Sequence, residues 1–528
     1  MLIPFAIVTQ GQEHHAAHLR KLGTVHFATS CNAAAQPKFN RAVALLHSFG
    51  FAPAIDGFND ALKADSNCAI AYWGIALSAW GNPFAAGIKP VTQLERGADA
   101  IRLARTTGAP TERELGYINA AGHLYDNFLS VDQPTRLLAY RDAMAELTTR
   151  QPADTEAAIF YALSLAISAP PADKTYASLL KAGAILEKLF AAQPDHPGLA
   201  HYIIHAYDVP SLASRALVAA GRYSAIAPEE AHALHMPSHT YTRVGDWQKS
   251  IDANVASSAI ARRDGWGAEE LHASDYRVYA YLQTGQDKAA KQLADALPEI
   301  AKRFNPKAVG SAAPPAAGYY ALAAIPVRYT LERGDWKNAM NLELHPSPFA
   351  PADASTHFAR AIGAAQMGDT IVPRASMEAL QQIHDKLVDQ KETYWAEQVE
   401  IQRIGASAWL AFAQHRKDDA LAAMRTAADR EDATEKNAIT PGPIAPTREL
   451  LGVMLLQFHE PRLAQKEFEA TLLKEPNRFR AVAGAAESAA AAGDRVLARR
   501  YYAQLLQISA GADKPGRPEL IVARRSLR

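Results

Sequence analysis

Two pairs of histidines are the residues of this chain whose types and spacing most plainly suggest chemistry. His201 and His205 stand four apart in DHPGLAHYIIHAYDVP, and Asp208 follows three further on. His235 and His239 repeat the spacing in PEEAHALHMPSHTYTRVGDW, with His232 three residues earlier. Residues at i and i+4 share one face of an α-helix, so each pair points two imidazoles the same way. The second pair follows the first at an offset of 34 residues. Neutral imidazole is a ligand for zinc, copper, iron and nickel. Four imidazoles can serve one ion, or two apiece can serve two ions. The expected cofactor is therefore a transition-metal ion, zinc, copper or iron, on His201, His205, His235 and His239. Asp208 and Asp275 are candidates for extra ligands or for acceptors of ring N–H groups, with Asp208 expected on His205. Met236 is a candidate soft ligand. No glutamate follows His201 or His235, so this is not the HExxH protease pattern. Pro237 complicates the second pair: it belongs in a first helical turn, and a helix starting there would take His235 out of register.

The elements that must position these side chains are helices. Alanine is abundant, alternating β-branched runs are scarce, and apolar segments are short. The punctuation between them is often Gly-Asp: Gly245-Asp246, Gly334-Asp335, Gly368-Asp369 and Gly493-Asp494, with Gly285-Gln286 as a variant. A small residue follows four or five positions later at Ser250, Ala290, Ala339 and Ala498. This pattern resembles the tetratricopeptide repeat (TPR), a 34-residue helix–turn–helix unit. Units at 163–196, 197–230 and 231–264 run in one phase, with further units such as 271–304 and 320–353. The resemblance implies an all-α fold, an α-solenoid of about ten TPR-like helix pairs whose first helices line a concave groove. It places His201, His205, His235 and His239 at groove-facing positions, together with Asp275, Tyr279 and Arg328, and puts His232 and His272 beside them. Arg328 would clamp a carboxylate or pair with an acidic neighbour.

The expected organisation is an N-terminal tail over 1–34 carrying a candidate signal-peptide remnant and a TPR array with the histidine groove over 35–307. Central helices follow over 308–436, then a Pro-rich loop or lid over 437–446 (NAITPGPIAP), a C-terminal repeat pair over 447–512 and a polar tail over 513–528. The stretches HPGLAHYIIHAYD, HALHMPSHTYTR and YWAEQVEIQR resemble those of exported bacterial TPR proteins, which implies an export route and names no reaction. The opening MLIPFAIVTQGQ has the apolar character of a secretory segment but no basic residues before it. The expected location is periplasmic or secreted, with a cytoplasmic protein as the alternative. His14, His15 and His18 form a short tract read as a solvated tail. In an exported chain Cys31 and Cys68, 37 residues apart, are expected to form a disulfide worth about 2–4 kcal/mol. The alternative is two buried free thiols.

Composition narrows the function. Of 528 residues, 48% are hydrophobic and 21% charged, which suits a folded chain. Lysine plus arginine balance aspartate plus glutamate at 55 each, which argues against nucleic acid as a partner. No apolar run reaches the length of a membrane helix. Two cysteines exclude a four-cysteine cluster or zinc site. There is no P-loop, GxGxxG, GxSxG or EF-hand loop, so no nucleotide or flavin cofactor is expected. Trp73 and Trp80 read as core and groove wall, and Glu397 and Glu400 as ion-paired surface. Two functions remain: a metalloprotein and candidate metalloenzyme of unnamed substrate, or a non-catalytic scaffold. The groove's expected partner is accordingly a small molecule, a peptide or a protein.

Overall fold

The computed structural model describes residues 21–85, 87–308 and 310–528. The apolar opening segment and His14, His15 and His18 lie outside the described residues. No described residue lies in a β-strand; the chain runs as successive antiparallel helices from Gln36–His47 to Pro518–Leu527. The Gly-Asp turns explain the punctuation. Gly245 takes a left-handed conformation (φ 72°) that closes the helix Pro237–Val244. Asp246 then caps the helix Trp247–Arg263 by accepting from the Lys249 backbone N–H. Asp335 and Asp494 cap their helices in the same way, through Asn338 and Leu497. Ser250, Ala290 and Ala339 are fully buried, as expected of residues that let two helices cross closely.

Each helix pair buries its apolar face on its neighbours, which gives two long cores. One gathers Phe27, Phe39, Trp73, Tyr117 and Phe160; the other gathers Phe358, Trp409, Phe468 and Phe479. The array then curls until its last repeats meet its middle. Trp247 Nε1 donates to the Asn477 carbonyl at 2.9 Å, Phe479 N donates to Gln283 Oε1 at 2.9 Å, and Arg517 pairs with Asp287.

Three sequence expectations change. Residues 21–34 are not a tail, because Leu22, Val25 and Phe27 are buried, with Phe27 packed on Phe39, Trp73 and Tyr117. The segment 513–528 is not a polar tail either: it carries the helix Pro518–Leu527, which buries Leu520 and Ala523. The repeat read as 271–304 is out of phase, because its first helix is Gly267–Gln283. Cys31 and Cys68 form a disulfide with Cα atoms 4.9 Å apart, tying the start of the first helix pair to its end. Trp73 and Trp80 are buried. Glu397 pairs with Arg430 and Glu400 with Arg403. No helix among the described residues is long and apolar enough to cross a membrane.

Candidate metal centre

Three consecutive groove-lining segments carry the histidines. The helix Pro197–Ala206 brings His201 and His205. The next segment is two short helices, Ala231–His235 and Pro237–Val244, joined through Met236. Pro237 starts the second of them, but Met236 keeps right-handed helical angles (φ −54°, ψ −36°), so the register continues across the proline. His235 and His239 therefore stay on one face, with their Nε2 atoms 3.0 Å apart. Met236 itself packs into the apolar core. The third segment, Gly267–Gln283, contributes His272 and Tyr276.

Six buried imidazoles converge here as two sets of three. His201, His205 and His232 form one and His235, His239 and His272 the other; within each set the candidate ligand atoms lie within 4.8 Å of one another. The ring centroids of His205 and His239 are 6.2 Å apart, and those of His232 and His235 are 6.1 Å apart, so the sets adjoin. His232 and His272, expected beside the four groove histidines, thus stand on equal terms with them.

Most rings are fixed through one nitrogen, leaving the other for the interior. His201 Nδ1 lies 2.6 Å from the His47 carbonyl, His235 Nδ1 2.6 Å from Asn254 Oδ1, and His239 Nδ1 2.8 Å from Asp208 Oδ2. His272 bonds to the Ile439 backbone. Among the described residues, His201 Nε2, His205 Nε2, His272 Nδ1 and both nitrogens of His232 have no hydrogen-bond partner. Burial, the dominant cause, drives all six away from the imidazolium form. It pushes His201 and His272 down to about 3 and His205, His232 and His235 well below the ordinary value. His239 is lowered by burial and by Lys436, against the pull of Asp208. A neutral imidazole is the protonation state that binds a metal.

Asp208 serves His239 and not the expected His205. Its Oδ2 also accepts from Lys436 Nζ at 2.8 Å, and its Oδ1 accepts from Arg243 Nε at 2.9 Å. Burial would raise this carboxyl, but Lys436, Arg243 and His239 outweigh it and hold the group well below the carboxylate range. Asp275, Tyr279 and Arg328 lie off the histidine face. Arg328 is fully buried, pairs with Asp275 at 2.9 Å, and donates as well to the Pro443 and Gly442 carbonyls and Thr440 Oγ1. It clamps the chain's own loop. Tyr279 donates to Glu475 at 2.7 Å.

That loop is the Pro-rich segment 437–446, which is largely buried and lies across the concave face. Tyr276 donates to the Thr440 carbonyl at 3.1 Å, and its hydroxyl lies 3.2 Å from His239 Nε2. Aromatic rings close the other side: Phe84 stacks on His205 with centroids 3.8 Å apart, and Phe49 packs on His201 at 4.3 Å. Sequence reasoning missed Tyr276, although it stands at i+4 from His272. It also missed Asn254, Lys436, Phe49 and Phe84, which no local spacing marks. A third buried group was missed too: Glu156 bridges His47 and His196 at 3.0 Å each. These bonds satisfy its carboxylate and fix the His47 carbonyl beneath His201.

No family model matches the chain, and no curated protein matches it. The human IFIT1 dimer with PPP-AAAA aligns over 84% of this chain and 91% of its own, at 10% identity and a TM-score of 0.40. Cut9–Hcn1 of the APC/C hetero-tetramer aligns over 94% and 90%, at 13% identity and a TM-score of 0.33. The P58(IPK) TPR domain aligns over 70% and 98%, at 14% identity and a TM-score of 0.22. Likenesses at these scores carry no argument about this site, and the fold rests on the helices themselves. On its helix pairs, its Gly-Asp turns and its stacked cores, the chain is an α-solenoid of TPR-like repeats.

Proposed function

We propose that this protein is a metalloprotein whose six groove histidines hold two transition-metal ions, one on His201, His205 and His232 and one on His235, His239 and His272. The observation that carries this reading is the pair of three-imidazole sets, buried and neutral, with bare nitrogens on all three rings of the first set and on His272 of the second. A set of three histidines leaves a coordination position open, as in sites where a metal activates a bound water or small molecule. Such an ion acts on a ligand small enough to enter a closed groove. Zinc, copper and iron all suit imidazole. Asp208, Asn254 and the His47 carbonyl orient the rings, as acceptors on the far nitrogen do in metal sites. The scaffold alternative needs an open groove over these residues, and the loop 437–446 already lies across it. Export to an oxidising compartment fits the Cys31–Cys68 disulfide.

The test is elemental analysis of protein purified without chelator, alongside His205→Ala and His235→Ala. We expect two ions per chain in the parent and the loss of one in each variant. Parent protein that carries no metal, and takes up none from added zinc, copper or iron, overturns the reading.

A further inference from the structure

Two recesses approach the histidines. The larger is lined by residues of both signs, among them Arg243, Lys436, Glu431, Glu435 and Glu475. Arg243 and Lys436 there, with His239, occupy both oxygens of Asp208, so the carboxylate nearest that ring has no free oxygen for an incoming cation. The second recess is smaller, reaches the first set at His232, and is lined by Ser48, Phe49, Glu230, His232, Asp264 and Glu269. Half-exposed Pro53, Asp264 and Ser311 border it, and buried His232 and Glu269 form its floor.

That floor carries polar atoms with no role in the fold. Glu269 is 3% exposed; its Oε1 accepts from Ala313 N at 2.7 Å and from Ser311 Oγ at 3.1 Å. Its Oε2 has no hydrogen-bond partner and lies 4.0 Å from His232 Nδ1, which has none either. One carboxylate oxygen is thus anchored and the other is held toward a ring of the first set. At the rim, Asp264 is occupied by Arg263; Glu230 also lines the recess, and Glu269 is the carboxylate with an oxygen 4.0 Å from the histidine ring. We propose that transition-metal cations reach the centre through this recess, taking Glu269 Oε2 as their first ligand inside the protein and passing from it to His232. A cation there offsets the cost of burying a lone carboxylate.

The proposal rests on the two-ion reading, and the experiment separates the two. Chelator-stripped full-length protein is mixed rapidly with Co²⁺, and in a second series with Zn²⁺, and the rate and final stoichiometry of uptake are recorded. Glu269→Gln keeps an oxygen for Ala313 but loses the charge; Pro53→Lys places a cation at the rim without touching the bonds of Glu269. Both are expected to slow uptake roughly tenfold or more, the range over which charge steers association, and to end at the parent's stoichiometry. Uptake by both variants at the parental rate overturns the route while leaving the two-ion reading intact. A parent that takes up no ion overturns both. Should Glu269→Gln fail to fold, Pro53→Lys alone decides, since parental uptake in it defeats the route.

Discussion

The two three-histidine sets occupy adjoining segments of one groove, yet they are held by different means. His201, His205 and His232 are packed by rings: Phe84 on His205, Phe49 on His201 and His232, and Tyr223 on His201. Four of their six ring nitrogens are bare, and the one hydrogen bond is to a backbone carbonyl. His235, His239 and His272 sit in a polar shell of Asn254, Asp208, Tyr276 and the Ile439 backbone, with Lys436 and Arg243 one bond further out. The first set is shaped by packing and left electrically unsatisfied. The second is largely satisfied by the protein before any ion arrives, with His272 Nδ1 left bare. An ion therefore does more for the stability of the first set and meets a more finely oriented geometry at the second.

The largest expected effect is on acid stability. All six histidines have folded-state pKa values below the ordinary one, so the unfolded chain binds protons that the folded chain refuses. Stability is complete above about 6.5 and falls as pH drops toward the folded values, about 3 for His201 and His272. Each group contributes up to about 1.4 kcal/mol per pH unit in that window. Metal-free protein should lose much of its thermal stability between pH 7 and 5, and metal-loaded protein far less. Melting temperatures across that range check this; a flat profile would mean the rings are not buried and neutral. Next in size, Asp208→Ala strands Arg243 and Lys436 in the interior. The expected loss is about 3–5 kcal/mol in urea denaturation, the cost of breaking a buried ion pair. No residue of the first set holds comparable charge, and a loss below 1 kcal/mol would break the contrast.

Much of this arrangement was legible in the chain, and the limits have physical causes. The 34-residue offset predicts His201 beside His235 and His205 beside His239, because equivalent positions on stacked helices fall at one height. The rings of His205 and His239 do lie 6.2 Å apart, but the histidine of the next segment beside His201 is His232, at 5.0 Å. That logic failed at the next unit. The second helix of the His235 repeat is longer, 17 residues over Trp247–Arg263 against 10 over Leu217–Ile226, and the helix Gly267–Gln283 meets its neighbour at an offset of 37, so His272 faces His235 and Tyr276 faces His239. Asp275 and Tyr279, taken from a shifted frame, lie on the adjacent face with Arg328 and Arg478. Lys436 and Phe84 carry no periodic signal, because each arrives from a segment outside the histidine repeats; Asn254 stands on the second helix of the His235 repeat itself, where nothing but burial separates it from an ordinary polar residue. Glu269 was hidden for a different reason: a carboxylate in a helix's first turn reads as a helix-end charge until its burial is known.

The polar shell of the second set gives two smaller tests. Asn254→Ala removes the acceptor that fixes His235 Nδ1 and should weaken one of two bound ions by about 10–100-fold, the usual effect of losing such a partner. Isothermal titration with zinc would show one affinity moving and the other unchanged; equal weakening of both would mean the sets act as one site. Tyr276→Phe should do least. The ring keeps its stack on His239, with centroids 5.0 Å apart, and loses only the hydroxyl that donates to the Thr440 carbonyl. One hydrogen bond is worth about 0.5–1.5 kcal/mol, so the fold and the metal count should survive. The loop 437–446 keeps its Arg328 clamp and the bond between Ile439 and His272, but loses one of its links to the histidine face. Amide hydrogens of that loop should therefore exchange faster in the variant, while those of the helix Pro197–Ala206, which meets the first set alone, stay as they were. Faster exchange at both would show that the loop secures the whole groove, and that the two sets are less independent than their surroundings make them.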